Sequence, residues 1–223
     1  MASKVQVGKP AVGGRRNRAD EVLEAAVDIF HDKGYSAASI QDVADRVGVL
    51  KGSLYHYIDS KEDLLARIFE ESDRQSFALI EEMEALDVGA LERLREFSRL
   101  WSLWYLRNVE RASLYFNEWK HLTGDRLAEV TAQRHEYEAR IAKMIDECKR
   151  EGAADRGLDT RYACFFMLSA INGLPVWYRP RGADPADHIA EVYADMIVAM
   201  IQGTKGRKRP AKAKSRARKP RRP

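Results

Sequence analysis

Residues 39–65, Ser-Ile-Gln-Asp-Val-Ala-Asp-Arg-Val-Gly-Val-Leu-Lys-Gly-Ser-Leu-Tyr-His-Tyr-Ile-Asp-Ser-Lys-Glu-Asp-Leu-Leu, admit very few folds. Ser39 is a good helix N-cap, and Asp42, three residues on, is placed to reach back to it. Ile40, Val43, Ala44 and Val47 then fall at i, i+3, i+4 and i+7, a single apolar stripe, while Gln41, Asp42, Asp45 and Arg46 take the other faces. Gly48 stops that helix and supports a tight turn. The chain resumes helically at Leu50 or Lys51 for about seven or eight residues. Only Leu54 and Ile58, with Val49, are set to look inward, so the remaining surface is free to enter a groove. This is the pattern of a DNA-reading helix-turn-helix.

The short second helix has the composition that phosphates and base edges need. Gly52 permits close approach of backbone, Lys51, Ser53 and Lys61 offer compact donors, and Tyr55 offers a phenol on a rigid ring. His56 is placed to touch a base edge, and Ser60 caps a following helix whose N-terminal amides favour an anion. A plain surface hairpin is the alternative, but it has no need of a capping box, a turn glycine and an exposed donor set together.

The stretch from Gly48 through Lys51-Gly52-Ser53-Leu54-Tyr55-His56-Tyr57 to Leu65 resembles the signature of the TetR family of one-component transcriptional repressors. The likeness extends upstream through Ala26, Phe30, Gly34, Tyr35 and Ser39, and so covers residues 19–66. It implies a first helix from Arg18 or Ala19 to Lys33, with Val22, Ala26, Ile29 and Phe30 packed on the two helices above; in the docking expected here, Lys51 to Tyr57 enters the major groove and Ser39, Tyr55 and Lys61 anchor to phosphates. One position departs from the family pattern: the residue before Lys51, often a serine or threonine cap, is Leu50.

A chain of 223 residues with 45% hydrophobic content holds one small DNA-binding unit, residues 19–66, and one larger helical unit, residues 67–202. Cys148 and Cys164 lie sixteen residues apart without companion histidines, so they suggest neither a disulfide framework nor a metal site, and fit buried thiols in a reducing cytoplasm. The longest uncharged stretch, Tyr162 to Tyr178, contains Ser169, Asn172, Gly173 and Pro175 and falls short of the roughly 20 apolar residues of a membrane span. A soluble protein with no membrane partner is expected.

Charge is segregated along the chain. Residues 203–223 hold eleven lysines and arginines and no acid, and residues 1–18 hold five, Lys4, Lys9, Arg15, Arg16 and Arg18. Removing these sixteen from a net charge of +4 leaves −12 on residues 19–202. The two basic arms are expected to be disordered. The tail is suited to raise non-specific, salt-sensitive affinity for DNA phosphates, or serves only as a solubilising terminus. The N-terminal arm precedes the first helix, where Arg15, Arg16 and Arg18 are placed to reach a minor groove.

From Ser60 onward the pattern is helical almost throughout, with segments at Ser60–Glu84, Val88–Leu106, Val109–Leu122, Arg126–Glu151, Thr160–Val176 and Pro185–Gln202, about nine helices in all and no strands. An all-α fold follows. Ile189, Val192, Tyr193, Met196, Ile197, Met200 and Ile201 line one stripe of the last helix, and the helix before it is apolar nearly all round. In the TetR family these two helices make a four-helix dimer interface, so the resemblance implies a homodimer joined through Phe166, Ile189, Val192, Tyr193, Met196, Ile197 and Met200. An internal core without dimerisation is the other reading.

Trp101, Trp104, Tyr105, Phe116, Trp119, Tyr137, Phe165 and Asn172 are the candidate lining of a small-molecule effector pocket, although aromatics fill ordinary cores as well. Trp177-Tyr178-Arg179-Pro180, with Gly182, resembles the end of the penultimate helix in actinobacterial repressors of fatty-acid and sterol breakdown that sense coenzyme A thioesters. Where such repressors direct bulky aromatic and basic residues at the thioester, this chain has Leu168, Asn172 and Val176. The effector implied is small and largely apolar, an acyl-CoA among the options.

No catalytic residue, metal site or cofactor is assigned. The five histidines lack metal-ligand spacing, no serine sits in a G-x-S-x-G turn, and Lys51-Gly52-Ser53 lacks the glycine-rich lead of a phosphate loop. The expectation is a ligand-responsive repressor of a double-stranded DNA operator. Two rivals stand beside it: a nucleoid-type DNA-binding protein dominated by its basic tail, and an all-helical ligand carrier or enzyme.

Overall fold

The computed structural model describes residues 17–203, so Arg15, Arg16 and nearly all of the basic tail lie outside it. Among the described residues there are ten α-helices and no strand: α1 (Arg18–Lys33), α2 (Ile40–Val47), α3 (Lys51–Leu54), α4 (Lys61–Glu84), α5 (Ala90–Arg107), α6 (Val109–Asn117), α7 (Gly124–Arg150), α8 (Thr160–Asn172), α9 (Leu174–Trp177) and α10 (Ala186–Gln202), with a 3-10 turn at Trp119–His121.

Local chemistry accounts for the first turns. Asn17 caps α1, whose first turn carries Asp20 and Glu21 and whose last carries His31 and Lys33, both favourable to the helix dipole. The expected capping box at α2 is present in both directions, with Ser39 Oγ accepting from the Asp42 amide at 3.2 Å and Asp42 accepting from the Ser39 amide at 2.8 Å. Gly48 ends α2 in the left-handed region at φ 73°, and its amide reaches the Ala44 and Asp45 carbonyls. Leu50 precedes α3 with no side-chain cap.

Three helix boundaries differ from the sequence pattern. The recognition helix has one α-helical turn, Lys51–Leu54, followed by a hydrogen-bonded turn over Tyr55–Tyr57. The expected helix Val109–Leu122 breaks after Asn117, because Leu122 turns inward to complete burial in the core beneath α1. The expected helix Thr160–Val176 breaks at Gly173, where Pro175 lacks the N–H that would bond Ile171 and its ring crowds that carbonyl.

Two hydrophobic cores share α4. The first gathers α1 to α3 around Leu64, Leu65, Ile68 and Phe69, with Leu114, Leu122 and Val130 contributed by α6, the 3-10 turn region and α7. The second gathers α5, α7, α8 and α10 around Leu79, Ile80 and Met83. Between them α4 buries Ser72, Asp73 and Ser76, and the two serine hydroxyls bond back to the Ile68 and Ser72 carbonyls. The middle of α4 is therefore a polar seam between the two cores.

Candidate functional site

The helix-turn-helix is held from below and left bare above. Leu54 and Ile58 are fully or nearly fully buried, whereas Lys51, Gly52, Tyr55 and His56 are exposed and Ser53 is half-buried. Leu50, at the start of the recognition turn, is 81% exposed. Sequence reading treated it only as a missing cap; its apolar side chain projects from the reading edge.

Two expected phosphate anchors are otherwise engaged. The single O–H of Ser39 donates to Asp42 Oδ2 at 2.7 Å and its amide donates to the same oxygen, so the capping box leaves no donor for a phosphate. Lys33 pairs with the other Asp42 oxygen at 2.6 Å, and that ammonium, then Ser39, holds the Asp42 pKa at about 2. Lys61 turns inward: its Nζ lies 4.2 Å from the Tyr35 ring centroid and donates to the Ser36 carbonyl at 3.4 Å. Burial lowers its pKa. Arg18 lies on the first turn of α1 and pairs with Glu21 at 2.6 Å.

The head is tied to the body by charged contacts at its underside. Buried Arg111 of α6 pairs with Glu24 of α1 at 2.5 Å. Asp63, at the start of α4, receives Arg126 of α7 at 3.1 Å and Arg67 at 3.0 Å, while Glu62 accepts from the Thr123 amide at 2.8 Å. The His121 ring sits 5.0 Å from that of Tyr35. The region Trp119–Arg126 thus grips both the turn between α1 and α2 and the beginning of α4.

Of the candidate effector-lining residues, the structure brings together Trp101, Trp104, Tyr105 and Tyr137. Trp101 stacks on Trp104 at 5.1 Å, meets Tyr105 edge-on at 5.2 Å and lies 5.5 Å from Tyr137. Phe97 and Phe77 complete the group, each 6.3 Å from Tyr137. Phe116 and Phe165 do not join it: Phe116 is 44% exposed on the outer side of α6, and Phe165 is held outward on α8 beneath the Arg161 guanidinium, 5.3 Å from its ring. Trp119 stands under Arg134 at 5.0 Å and packs against the first core, and half-buried Asn172 closes α8.

Sequence reading missed the polar centre of this region. Tyr115 donates to Asp73, and burial, opposed by that bond and by Arg134, raises the Asp73 pKa to about 6. Burial also pushes the phenols of Tyr105, Tyr115 and Tyr137 well up. Asp73 lies one helical turn beyond Phe69 on the buried stripe of α4, the one signal that sets it apart from its acidic neighbours.

The last helices divide the expected dimer stripe in two. Ile189 and Ile197 are buried within the chain against α5 and its neighbours, so they serve the core rather than the exposed stripe expected of an interface. Tyr193 and Met200 are partly buried against that core. Phe166, Val192 and Met196, the last 64% exposed, stand outside with Tyr162, Val176 and Trp177. Among the described residues no helix is long and apolar enough to cross a membrane, and no group of three or more His, Cys, Asp or Glu could hold a metal ion.

A helix-turn-helix with a bare reading edge, clamped onto a larger helical body, defines a DNA-binding transcriptional regulator. Residues 22–68 match the family of bacterial regulatory proteins of the tetR type, and residues 87–201 match the tetracyclin repressor-like C-terminal domain. The chain belongs to the TetR family. It is similar to the transcriptional repressor KstR2 of Rhodococcus jostii, 25% identical over 186 residues that span 83% of this chain and 91% of that one. KstR2 of Mycolicibacterium smegmatis is 26% identical, with 86% and 94% covered. Among solved structures, AibR in complex with isovaleryl coenzyme A and operator DNA superposes with a TM-score of 0.73 at 25% identity, covering 83% of this chain and 98% of that one. The ketosteroid regulator KstR2 of Mycobacterium tuberculosis shares the fold, with a TM-score of 0.80 at 23% identity, covering 86% and 98%.

Proposed function

We propose that the chain acts in the cytoplasm as a homodimeric repressor that is released from its operator by a small, largely apolar effector, and that it catalyses no reaction. Residues 19–66 form the reading head and residues 67–202 the effector-binding and dimerisation body. The recognition turn, Lys51 to Tyr57, enters the major groove: Lys51, Ser53 and Tyr55 donate to phosphates, Gly52 lets the backbone approach, and His56 meets a base edge. Arg18 opens α1 and pairs with Glu21, so it belongs to the helix and not to an arm; Arg15 and Arg16, the other minor-groove candidates, lie outside the described residues. The observation that carries this reading is the bare edge of the recognition turn, where Lys51, Gly52, Tyr55 and His56 stand exposed around fully buried Leu54.

Phe166, Val192 and Met196 supply the dimer contact, and two copies double the contacts a single short reading turn can make. The effector reading draws support from AibR, whose structure holds both an acyl-CoA and operator DNA. An acyl-CoA is therefore the first effector to try. Release requires that the effector bind the non-DNA conformation better than the DNA-bound one, and the clamp around Trp119–Arg126 is where the body meets the head.

Fluorescence anisotropy against the gene's own upstream DNA, at physiological salt, tests the docking. Lys51→Ala and Tyr55→Ala are each expected to weaken binding at least tenfold; unchanged affinity in both removes the proposed reading edge. A truncation at Gly203 that abolishes binding outright would favour the tail-dominated nucleoid reading instead.

A further inference from the structure

Four polar side-chain atoms in the aromatic centre have no hydrogen-bond partner among the described residues: Asp73 Oδ2, Trp101 Nε1, Arg134 Nη1 and Tyr137 Oη. They come from α4, α5 and α7, and they belong to one neighbourhood. The Trp101 and Tyr137 rings are 5.5 Å apart, Arg134 stands three residues before Tyr137 on the same face of α7, and Gln75, two residues from Asp73, holds the Trp104 indole that stacks on Trp101. Asp73 and Trp101 are themselves 5% and 4% exposed. Protein interiors satisfy nearly all such groups, so four together call for a complement that is not a side chain.

The chemistry of that complement follows from the donors. An indole N–H and a guanidinium N–H can only donate, and a phenol donates readily, so three of the four atoms ask for an acceptor. The neighbouring Trp104 indole differs: it already donates to Gln75 at 2.6 Å. Asp73 is turned partly away from an acceptor, because Tyr115 donates to its other oxygen. The walls are the rings of Phe77, Phe97, Trp101 and Tyr137, which suit carbon.

We propose that this box is the subsite for the oxygen-bearing end of an otherwise apolar effector, with an acceptor oxygen receiving Trp101 Nε1 and Tyr137 Oη, Arg134 beside it, and the rings closing on the adjoining carbon skeleton. The inference rests on the reading of the chain as ligand-responsive and gives that ligand its chemistry.

Calorimetric titration of the full chain, free of DNA, with acetophenone, benzoate and ethylbenzene tests it, since the three probes share a ring and differ in the acceptor. At least one of the two oxygen-bearing probes is expected to bind ten times more tightly than ethylbenzene, and which of them leads separates a ketone-type from a carboxylate-type oxygen. Tyr137→Phe keeps the ring and is expected to erase that advantage while leaving ethylbenzene unchanged; Trp101→Phe does the same if it folds, as judged by circular dichroism. Equal binding of all three probes, an advantage that survives Tyr137→Phe, or no binding of any probe at millimolar concentration overturns the subsite. Operator binding is measured separately: a chain that binds the probes but ignores DNA keeps the subsite and loses the repressor reading.

Discussion

The Tyr115 hydroxyl of α6 donates to the Asp73 carboxylate of α4 inside the seam between the two cores. That bond joins the helix that starts beneath the reading head to the helix that clamps it, because Arg111, one turn before Tyr115, holds Glu24 of α1. A ligand that draws Asp73 or its neighbours toward itself would pull on α6 directly.

Asp73 gives stability a pH dependence with a defined sign. Its pKa is raised from 3.8 to about 6, so between those values the folded state holds more protons than the unfolded chain. Its contribution to stability therefore falls as pH rises from about 4 to 6 and levels off above. The shift corresponds to ~3 kcal/mol in order of magnitude. Asp73→Asn, which still accepts from Tyr115, is expected to be more stable than the native chain at pH 8 and to lose most of that gain at pH 4. Urea unfolding at both values checks this; parallel curves would refute it.

The pair of Glu24 and Arg111 should couple head and body. Arg111 is 7% exposed, so Glu24→Ala leaves a buried guanidinium with neither of its end nitrogens paired. A loss of about 1–3 kcal/mol is expected from Glu24→Ala, and a double-mutant cycle with Arg111→Met should return an interaction of at least about 0.5 kcal/mol. An interaction near zero would mean that the pair fixes no relation between α1 and α6.

Leu50 should read a thymine. An apolar side chain exposed at the start of a recognition turn matches the C5 methyl of thymine and nothing else on a base edge in the major groove. Deoxyuridine scanning of the operator is expected to find one position per half-site where loss of the methyl weakens binding about fivefold for the native chain and leaves Leu50→Ala indifferent. A scan with no sensitive position withdraws Leu50 from readout.

What was legible in the sequence was what neighbouring residues decide among themselves. Ser39, Asp42 and Gly48 fix the end and beginning of α2 through bonds within it, and the structure keeps them. The break at Gly173 also has a local cause in Pro175, masked in the sequence by an apolar run that continues on both sides of it. The 3-10 turn had no such cause: it exists because Leu122 fills a core built by α1 and α4, and because Thr123 bonds Glu62. Asp73 was hidden for the same reason. Glu70 and Asp73 both read as acids on a charged helix; the place of Asp73 on the apolar stripe separates them, but its partner Tyr115 comes from another helix and is seen only in three dimensions. Ser39 and Lys61 were legible as donors, but a donor already bonded to Asp42, or turned onto Tyr35, is recognised only in three dimensions.

The stripe on α10 carries the sharpest contrast between core and interface. Ile197 and Met196 are adjacent in the chain, yet Ile197 is 2% exposed against the protomer's own core and Met196 is 64% exposed beside Val192. A charge at each should therefore do different things. Ile197→Glu buries an unpaired carboxylate and is expected to prevent folding. Met196→Glu places the same charge in water on the free protomer, so it should leave thermal unfolding of that protomer intact, while two such charges facing each other across a symmetric contact oppose association. Sedimentation at micromolar concentration is expected to show a dimer for the native chain and a monomer for Met196→Glu, with operator affinity falling at least tenfold because each half-site is then bound alone. A Met196→Glu chain that still sediments as a dimer would place the interface elsewhere and leave the exposed row of Phe166, Val192 and Met196 without that role.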